Sequence, residues 1–500
     1  MKKDQNTGNL KNSAVKIGGK AFVLSALIIL ALMVASGILT RVLPAGVYER
    51  VVTEGRTLVV SGSYHEVPRP SFPIWRWFTA PVELLFGPDN LTPIILAVFI
   101  IIVGGSITIL EYAGIMEALV NFLVTRFAKR KYLLIFIMIC FFMGISSFIG
   151  MYEEMIALII FIVPIAISFG WDSMTGLGMS LLPLAFGFAS AVTNPFTIGL
   201  AQKIAGLPLF SGAPLRLVFF LLMVCLVSFF VIRYAKKIEK NPQSSISFRE
   251  DEVLRAKSLE QKQRAAKITA GGTAGRIISK KQLRALIWFI SSIAIAMLFV
   301  ISTSRSPLLS DLAFPMMTLL FLIGGLGAGI IAGLKFIDIG KNLMKGTLNM
   351  LPGILLIFMA YSIKHIITTG MIMDTILYRA AELIRHSPPM AAAFLIYATT
   401  FVMNFFIGSI SAKAFLMMPL LTPLADLAGI TRQTAVLAFD FGDGFSNVIF
   451  PTNALLLIAL SFTVVSYTKW MRWTWKLQIL ILVITSVFLA IAVKTGFGPF

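Results

Sequence analysis

Apolar runs of about 20 residues recur along most of the chain and are separated by short polar stretches. A run of this length is what an α-helix needs to cross the hydrocarbon core of a bilayer. The pattern therefore predicts an all-α polytopic membrane protein. Two shorter segments, 114–131 and 370–385, carry apolar residues at helical spacing beside charged ones. They are predicted to be amphipathic helices that lie along the membrane surface.

Four apolar stretches are interrupted by polar or glycine-containing segments that lipid would reject. Polar, irregular backbone at membrane depth occurs only where it is buried in protein or lines a watery cavity. Two of these stretches, at about 132–169 and 389–425, are predicted to be re-entrant hairpins, each entering and leaving on one side of the membrane. The other two, at about 172–206 and 431–466, are predicted to be transmembrane helices that are broken in their middle.

The interruptions occur twice and in the same order. Gly150 in the first hairpin precedes Gly408 in the second by 258 positions, and Asn194 precedes Asn453 by 259. A register held to one residue over this length indicates an internal repeat. A single extra helix at 283–303 separates the two copies and should turn the second upside down. Inverted repeats with paired hairpins and broken helices are typical of elevator-type secondary transporters.

The positive-inside rule sets the predicted orientation, because Lys and Arg cluster in the N-terminus and in a central linker. Both segments are predicted to be cytoplasmic, and the C-terminus is predicted to lie outside. The predicted divisions are a cytoplasmic N-terminus (1–20), a first transmembrane repeat (21–235), a cytoplasmic basic linker (236–282), the extra helix (283–303) and an inverted second repeat (309–498).

Composition narrows the class of protein. Of the 500 residues, 57% are hydrophobic, which excludes a string of soluble domains. The net charge of +20 suggests nucleic acid as a partner, but its Lys and Arg lie in the loops, as in a membrane protein. No nucleic-acid partner is therefore predicted. Cys140 and Cys225 fall within apolar runs as packing residues. No nucleophile–base pair or metal-ligand spacing is visible, so neither an enzyme nor a cofactor is predicted.

The hairpin tips and the helix breaks are predicted to converge on one cavity, where helix N-termini offer unpaired N–H groups to a substrate carboxylate. The polar residues at these places either bind substrate or cap broken helices. They are Ser190, Thr193, Asn194, Ser409, Ser411, Asn447, Thr452 and Asn453. The coupling ion is left open between Na⁺ and H⁺. A Na⁺ site is predicted near Gly150, Asn194, Gly408 and Asn453.

The acidic residues at the same places form a sharper signal. They are Glu153, Glu154, Asp440 and Asp443, and the one evident cation beside them is Lys413. Charged groups at membrane depth are functional candidates, and these could bind a substrate ammonium or guanidinium, Na⁺ or protons. Alternatively, Lys413 forms a structural pair with Asp440 or Glu154. The surplus of negative charge favours a cationic or zwitterionic substrate over a dicarboxylate.

The segments Gly150–Glu154, Asn194–Gly199 and Phe441–Gly444 resemble the YfcC branch of the DcuC-like carriers, in the ion-transporter superfamily. The resemblance covers nearly the whole chain. It implies a scaffold domain, a mobile transport domain, elevator-type alternating access, a homodimer and a bacterial inner membrane. Substrates in this family divide between basic amino acids and C4-dicarboxylates or other small carboxylates. Asp440 and Lys413 depart from the family pattern, which commonly has a neutral amide and a glutamine there.

These features predict a secondary active transporter of amino acids, with basic amino acids as the first choice. Transport would be arginine/ornithine-type exchange or ion-coupled uptake. The alternative is a Na⁺- or H⁺-coupled carrier of C4-dicarboxylates or other small carboxylates, in which the acids hold the coupling ion and Lys413 holds the substrate. A receptor that does not transport is disfavoured by the repeated broken helices.

Overall fold

The computed structural model describes residues 19–53, 56–87, 90–260, 279–303 and 312–498, and these are mostly helical. Residues 1–18 of the predicted N-terminus and residues 261–278 of the predicted linker lie outside the described residues. The helices of the first half are α1 Gly19–Val42, α2 Arg76–Glu83, α3 Leu91–Tyr112, α4 Ile115–Phe127, α5 Lys131–Gly144, α6 Ile159–Ser168, α7 Ser173–Gly178, α8 Leu181–Ala189, α9 Leu200–Ile204 and α10 Ala213–Lys240.

The second half begins with a short linker helix and then repeats much of this order. Its helices are α11 (252–260), α12 Lys280–Thr303, α13 Ala313–Ala332, α14 Phe336–Thr369, α15 Met373–Arg385, α16 Pro389–Phe406, α17 Ile410–Leu427, α18 Arg432–Gly444, α19 Ala454–Ser461 and α20 Tyr467–Thr495. Short π-helical turns lie at Ile145–Ile149 and Pro195–Gly199, and 3₁₀ turns lie at Leu84–Phe86, Glu154–Leu158, Pro242–Ser244 and Phe445–Val448.

Ten helices among the described residues are long and apolar enough to cross a membrane. This confirms the prediction of a multi-pass, helical membrane protein. Helix α14 has 34 residues and therefore measures about 50 Å at 1.5 Å per residue, well beyond a hydrocarbon core of about 30 Å. One end of α14 must extend past the core.

Among the described residues, strands occur only in the segment between α1 and α2. They form two small antiparallel pairs: β1 Gly46–Val47 with β4 His65–Glu66, and β2 Arg50–Thr53 with β3 Arg56–Val59. The second pair lies within residues 48–60, where alternating apolar and polar residues in the sequence are typical of a short β-hairpin. Arg50 forms a two-oxygen contact with the buried carboxylate of Asp374, at 2.8 and 2.9 Å. This contact fixes the strands to α15, which belongs to the other half of the chain.

The two halves repeat their helix positions closely. Helices α4 and α15 have 13 residues each and begin 258 positions apart, at Ile115 and Met373. The helices that follow them, α5 and α16, begin at Lys131 and Pro389, again 258 positions apart. These helices therefore recur at the spacing that the sequence positions indicate for an internal repeat. The inversion of one copy relative to the other stays a prediction.

The helices pack into two groups. The scaffold bundle consists of α1, α3, α12, α13 and α14, which pack against one another. One close contact joins α3 to α14, where a Cβ on Gly346 would lie only 2.6 Å from the Gly105 Cα atom. Small residues allow helix backbones to approach in this way, and such contacts hold helices together where lipid supplies no hydrophobic driving force.

The hairpin bundle consists of α5–α10 and α16–α20. In each repeat, the first helix of the hairpin packs on the broken helix and on the long helix after it: α5 on α8 and α10, and α16 on α18 and α20. In each repeat, one glycine of the broken helix allows the hairpin helix to pack this closely. A Cβ on Gly187 would lie 2.8 Å from the Met143 Cα atom, and one on Gly442 would lie 2.6 Å from the Tyr397 carbonyl oxygen.

The start of the linker is docked on the hairpin bundle. Asp172 caps α7 and accepts hydrogen bonds from Tyr234 at 2.7 Å and Ser245 at 2.6 Å. The buried carboxylate of Asp251 accepts from the Ser173 backbone N–H at 2.9 Å. In the same segment Lys257 lies 3.6 Å from Glu111 at the end of α3. Residues 242–260 therefore touch both bundles.

The close helix contact at Gly442 gives a test of the fold. The Gly442→Ala substitution should lower the free energy of unfolding by about 1–3 kcal/mol, because the new methyl group overpacks against a backbone oxygen. Thermal melting of the purified protein measures the loss. Gly144→Ala is the control, because nothing lies within 4 Å of that Cβ position. Equal melting temperatures for the two variants would contradict the packing described here.

Candidate functional site

The first hairpin turns at Gly150. The π-helical turn Ile145–Ile149 ends there with a hydrogen bond from the Gly150 N–H to the Ile145 oxygen at 3.1 Å. Gly150 has φ +86°, a left-handed conformation that strongly favours glycine. In the second hairpin, α16 and α17 are separated by three non-helical residues, and Ser409 caps α17 by accepting from the Ala412 N–H at 3.4 Å. Both tips therefore expose irregular backbone.

Asn194 and Asn453 have the same capping role in the two broken helices. The side-chain oxygen of Asn194 accepts from two backbone N–H groups, at 2.9 and 3.2 Å, and that of Asn453 does so at the same distances. Each residue thus caps the half-helix that follows the break. Since both oxygens already accept two hydrogen bonds, a Na⁺ ion could use them only in place of a donor. The sodium site near these residues stays a prediction.

Lys413 is fully buried and forms an ion pair with the fully buried Asp443. Its ammonium group also donates to the side-chain oxygen of Asn404. The amide of Asn404 in turn lies 2.6 Å from the Ser446 hydroxyl and 3.0 Å from the Asn447 side-chain oxygen. The sequence left Asp440 or Glu154 as the partner of Lys413, and both alternatives are wrong. Which residue pairs with Lys413 depends on how α17 and α18 face each other, which residue spacing does not reveal.

Arg216, on α10, is a second buried cation that the sequence analysis missed. It is 1% exposed. Its guanidinium donates to the carbonyl oxygens of Ala191 at 2.8 Å and Val192 at 3.1 Å, both at the break of the first broken helix. It also donates to the Ser211 oxygen at 2.7 Å and the Phe210 oxygen at 3.3 Å. An arginine inside an otherwise apolar run was the available signal.

Asp440 lies close enough to Arg216 for their charges to interact, but the two do not form a contact ion pair. Its carboxylate is 1% exposed, beside the Thr197 hydroxyl and the Ala191 N–H. Neither carboxylate oxygen accepts a hydrogen bond of standard geometry. Asp440 and Asp443 are thus about one helical turn apart on α18, but their carboxylates contact different parts of the protein. Asp443 meets Lys413 from the second hairpin, whereas Asp440 faces the break of the first repeat.

Glu153 and Glu154 lie at the tip of the first hairpin and are half-buried. Among the described residues, neither side chain forms an ion pair or a hydrogen bond with another side chain. The 3₁₀ turn that starts at Glu154 packs against α19, the half-helix after the second break. Among the described residues, Glu153 and Glu154 therefore have no cation beside them, whereas Asp443 pairs with Lys413 and Asp440 lies near Arg216.

The other predicted site residues divide between structural and open positions. Ser190 donates back to the Phe186 oxygen at 2.6 Å, and Thr193 donates to the Phe148 oxygen at 3.0 Å, so both tie the first break to its surroundings. Asn447 accepts from the Asn453 amide at 2.7 Å. The Thr452 hydroxyl is buried and has no hydrogen-bond partner in the part of the chain that the structure describes. Ser411 lies in the first turn of α17.

The two repeats meet crosswise at these positions. Helix α17 of the second hairpin packs against the Pro195–Gly199 turn and α9, which follow the first break. The 3₁₀ turn of the first hairpin packs against α19, which follows the second break. The structure thereby brings both tips and both breaks into one bundle. Among the described residues, no group of three or more His, Cys, Asp or Glu side chains could hold a metal ion.

Comparison with known proteins fits this arrangement. The family model for C4-dicarboxylate anaerobic carriers, DcuC, matches residues 22–494. The chain belongs to the DcuC family. This carrier-family chain is 30% identical over 411 residues to YfcC of Escherichia coli K12, named as a candidate basic amino acid antiporter. The match covers 81% of the chain and 78% of YfcC. It confirms the predicted resemblance.

Three further proteins are more distantly similar. An uncharacterised protein of Haemophilus influenzae is 25% identical over 397 residues, covering 79% of this chain and 75% of its own length. MtrF of Neisseria gonorrhoeae, from a class of antimetabolite efflux pumps, aligns with a TM-score of 0.42 and 14% identity, covering 95% of both chains. The YdaH transporter of Alcanivorax borkumensis aligns with a TM-score of 0.40 and 17% identity, over 96% of this chain and all of its own.

The Lys413–Asp443 pair gives a test of the site. Lys413→Gln should lower the free energy of unfolding by about 3–5 kcal/mol, because Asp443 is left buried and charged without a partner. The double variant Lys413→Gln/Asp443→Asn should recover much of that loss, since no uncompensated charge remains. Thermal melting of the single and double variants measures the difference.

The exposed pair Arg432–Asp426 provides the control for this experiment. Its side chains are 40% and 45% exposed, and exposed pairs contribute only about 0–1 kcal/mol. Arg432→Gln should therefore lower the melting temperature much less than Lys413→Gln, although it also removes the hydrogen bond from the Arg432 guanidinium to the Ala205 oxygen at 3.0 Å. A Lys413→Gln variant as stable as Arg432→Gln would show that Asp443 is not a buried charge held by Lys413.

Proposed function

We propose that this DcuC-family carrier transports basic amino acids, in arginine/ornithine-type exchange, through the site formed by the two hairpin tips and the two helix breaks. The observation that carries this proposal is the pair Glu153 and Glu154. These adjacent carboxylates lie at the tip of a hairpin in an apolar bundle and have no cationic partner among the described residues. A cationic substrate would supply that partner.

The chemistry of a basic amino acid matches the two ends of the site. A guanidinium presents a planar fork of N–H donors that carboxylates accept in pairs, and an ammonium group serves as a compact point charge. Glu153 and Glu154 would receive this end of the substrate. The substrate carboxylate would meet the N-terminal turn of α17, where Ser409 and Ser411 lie beside unpaired backbone N–H groups. The Thr452 hydroxyl, which has no partner, is a further donor.

The balance of charge supports the same choice. Lys413 compensates Asp443, and Arg216 lies near Asp440. Two carboxylates, Glu153 and Glu154, are left over. A dicarboxylate would be repelled by this remaining negative charge, whereas a cationic substrate would be attracted by it. The name of YfcC, a relative of this chain, agrees with a basic amino acid.

The second candidate function is Na⁺- or H⁺-coupled transport of C4-dicarboxylates or other small carboxylates. The name of the DcuC family favours it. In that case the acidic residues would hold the coupling ion, and Lys413 would bind a substrate carboxylate. The engagement of Lys413 by Asp443 and Asn404 argues against this role, because both contacts would have to be exchanged for the substrate.

The proposed mechanism is elevator-type alternating access, with the scaffold bundle fixed and the hairpin bundle moving. The surface helices α4 and α15 support it by their position. Helix α4 packs against α3 and α12 of the scaffold bundle and against α6 of the first hairpin, and α15 packs against α16 and α17. Inverted repeats, a homodimer, a bacterial inner-membrane location, a cytoplasmic N-terminus and an external C-terminus belong to the same proposal.

Ligand-induced thermal stabilisation tests the substrate class. A ligand that binds only the folded protein raises the melting temperature by mass action. Arginine and ornithine, each at 100 times its dissociation constant, should stabilise the fold by about 2.7 kcal/mol. Succinate and malate should have no effect, with or without Na⁺. Stabilisation by a dicarboxylate that depends on Na⁺ would instead favour the second candidate function.

Substitution of the glutamates tests the residues. Glu153→Gln or Glu154→Gln should weaken arginine binding at least about tenfold, because a hydrogen bond to a charged group contributes about 1.5–3 kcal/mol. The concentration of arginine that gives half of the maximal thermal shift measures this. Glu49→Gln, at an exposed position outside the site, should leave it unchanged. Wild-type affinity in both glutamate variants would refute their assignment to the substrate cation.

A further inference from the structure

The carbonyl groups at both helix breaks are occupied by donors from the long helix that follows. At the second break, the Trp470 indole N–H donates to the Val448 oxygen at 2.8 Å, and the Tyr467 hydroxyl donates to the Ile449 oxygen at 2.7 Å. At the first break, Arg216 donates to the oxygens of Ala191 and Val192. Tyr467 and Trp470 lie near the start of α20, and Arg216 lies near the start of α10.

The two solutions differ in charge. Trp470 and Tyr467 are neutral, so a neutral donor suffices to satisfy unwound carbonyl groups at such a break. The first repeat instead buries a full positive charge, which costs free energy that a neutral donor would avoid. Hydrogen bonding alone therefore does not account for Arg216. The positive charge itself must serve a purpose.

The groups around the guanidinium form the kind of shell that binds a small hard cation. Four carbonyl oxygens accept from Arg216, at 2.7 to 3.3 Å. The Asp440 carboxylate adds a negative charge nearby, and the buried Thr197 hydroxyl has no hydrogen bond of standard geometry. In membrane carriers with broken helices, unwound carbonyls and the C-terminal ends of half-helices coordinate the coupling Na⁺. Hard cations take oxygen ligands of this type.

We propose that the guanidinium of Arg216 takes the place of a coupling metal cation at the first break, with Asp440 as its fixed counter-charge. The first half of the site then needs no Na⁺, because its cation is part of the chain. Arg216 is a positioning residue that holds the break open and does not itself touch substrate. This inference rests on the proposed function only in that the breaks belong to the transport site.

Removal of the charge should create a sodium site. Arg216→Gln keeps hydrogen-bond donors for the carbonyl groups but leaves the oxygen shell and Asp440 without a cation. In choline chloride its melting temperature should be lower than that of the wild type. In NaCl of the same concentration it should be about 5 °C or more higher than in choline chloride. The wild type and the charge-retaining Arg216→Lys should show a smaller difference between the two salts. The double variant Arg216→Gln/Asp440→Asn should lose the added sodium response, since its shell has no negative charge.

Two results would overturn the inference. One is an Arg216→Gln variant whose sodium response equals that of the wild type. The other is an Arg216→Gln variant that is unfolded in both salts, because sodium then fails to replace the guanidinium. The readout involves no substrate, so it is independent of whether arginine or succinate stabilises the wild type. A sodium response specific to Arg216→Gln would stand even if basic amino acids proved not to be the substrate.

Discussion

The structure depends on one constraint: backbone groups released at a helix break inside a membrane must find partners within the protein. Each break frees N–H groups on one side and carbonyl groups on the other. The N–H groups donate to the side-chain oxygens of Asn194 and Asn453. The carbonyl oxygens accept hydrogen bonds from the side chains of Arg216, Tyr467 and Trp470. The contacts between α10 or α20 and the broken helices follow from this need. Arg216, Tyr467 and Trp470 lie on helices that pack against the broken helices, and this packing helps to bury the site.

The same constraint explains which parts could be predicted from the sequence. The half-helix that follows a break inside an apolar run needs an N-cap, and only a few residue types serve as N-caps. Asn194 and Asn453 could therefore be placed by spacing alone, and the repeated positions of α4 and α15 followed from the same register. The caps are local features, because the Asn194 side chain bonds to residues two and three positions away. Local chemistry of this kind is readable along the chain.

Pairing between distant helices could not be read in that way. Lys413 reaches Asp443 because α17 packs across α18, and a change in the rotation of either helix would present Asp440 instead. The apolar neighbours of Arg216 made it conspicuous in the sequence, but its hydrogen-bond partners could not be predicted because they lie 5 to 25 positions away. Asn404 is a single polar residue in an apolar run, and residue spacing does not show that it joins Lys413 to Ser446 and Asn447. Long side chains gain their partners from tertiary packing, which residue spacing does not specify.

The charges of the site also bear on exchange as opposed to uptake. With Lys413 against Asp443 and Arg216 near Asp440, the charge left uncompensated in the empty site is that of Glu153 and Glu154. Under the proposed function, moving the empty site across the membrane would carry these carboxylates through a region where isolated charge is costly. A bound cationic substrate reduces that cost. The loaded carrier would then cross more easily than the empty one, and this difference couples the entry of one basic amino acid to the exit of another.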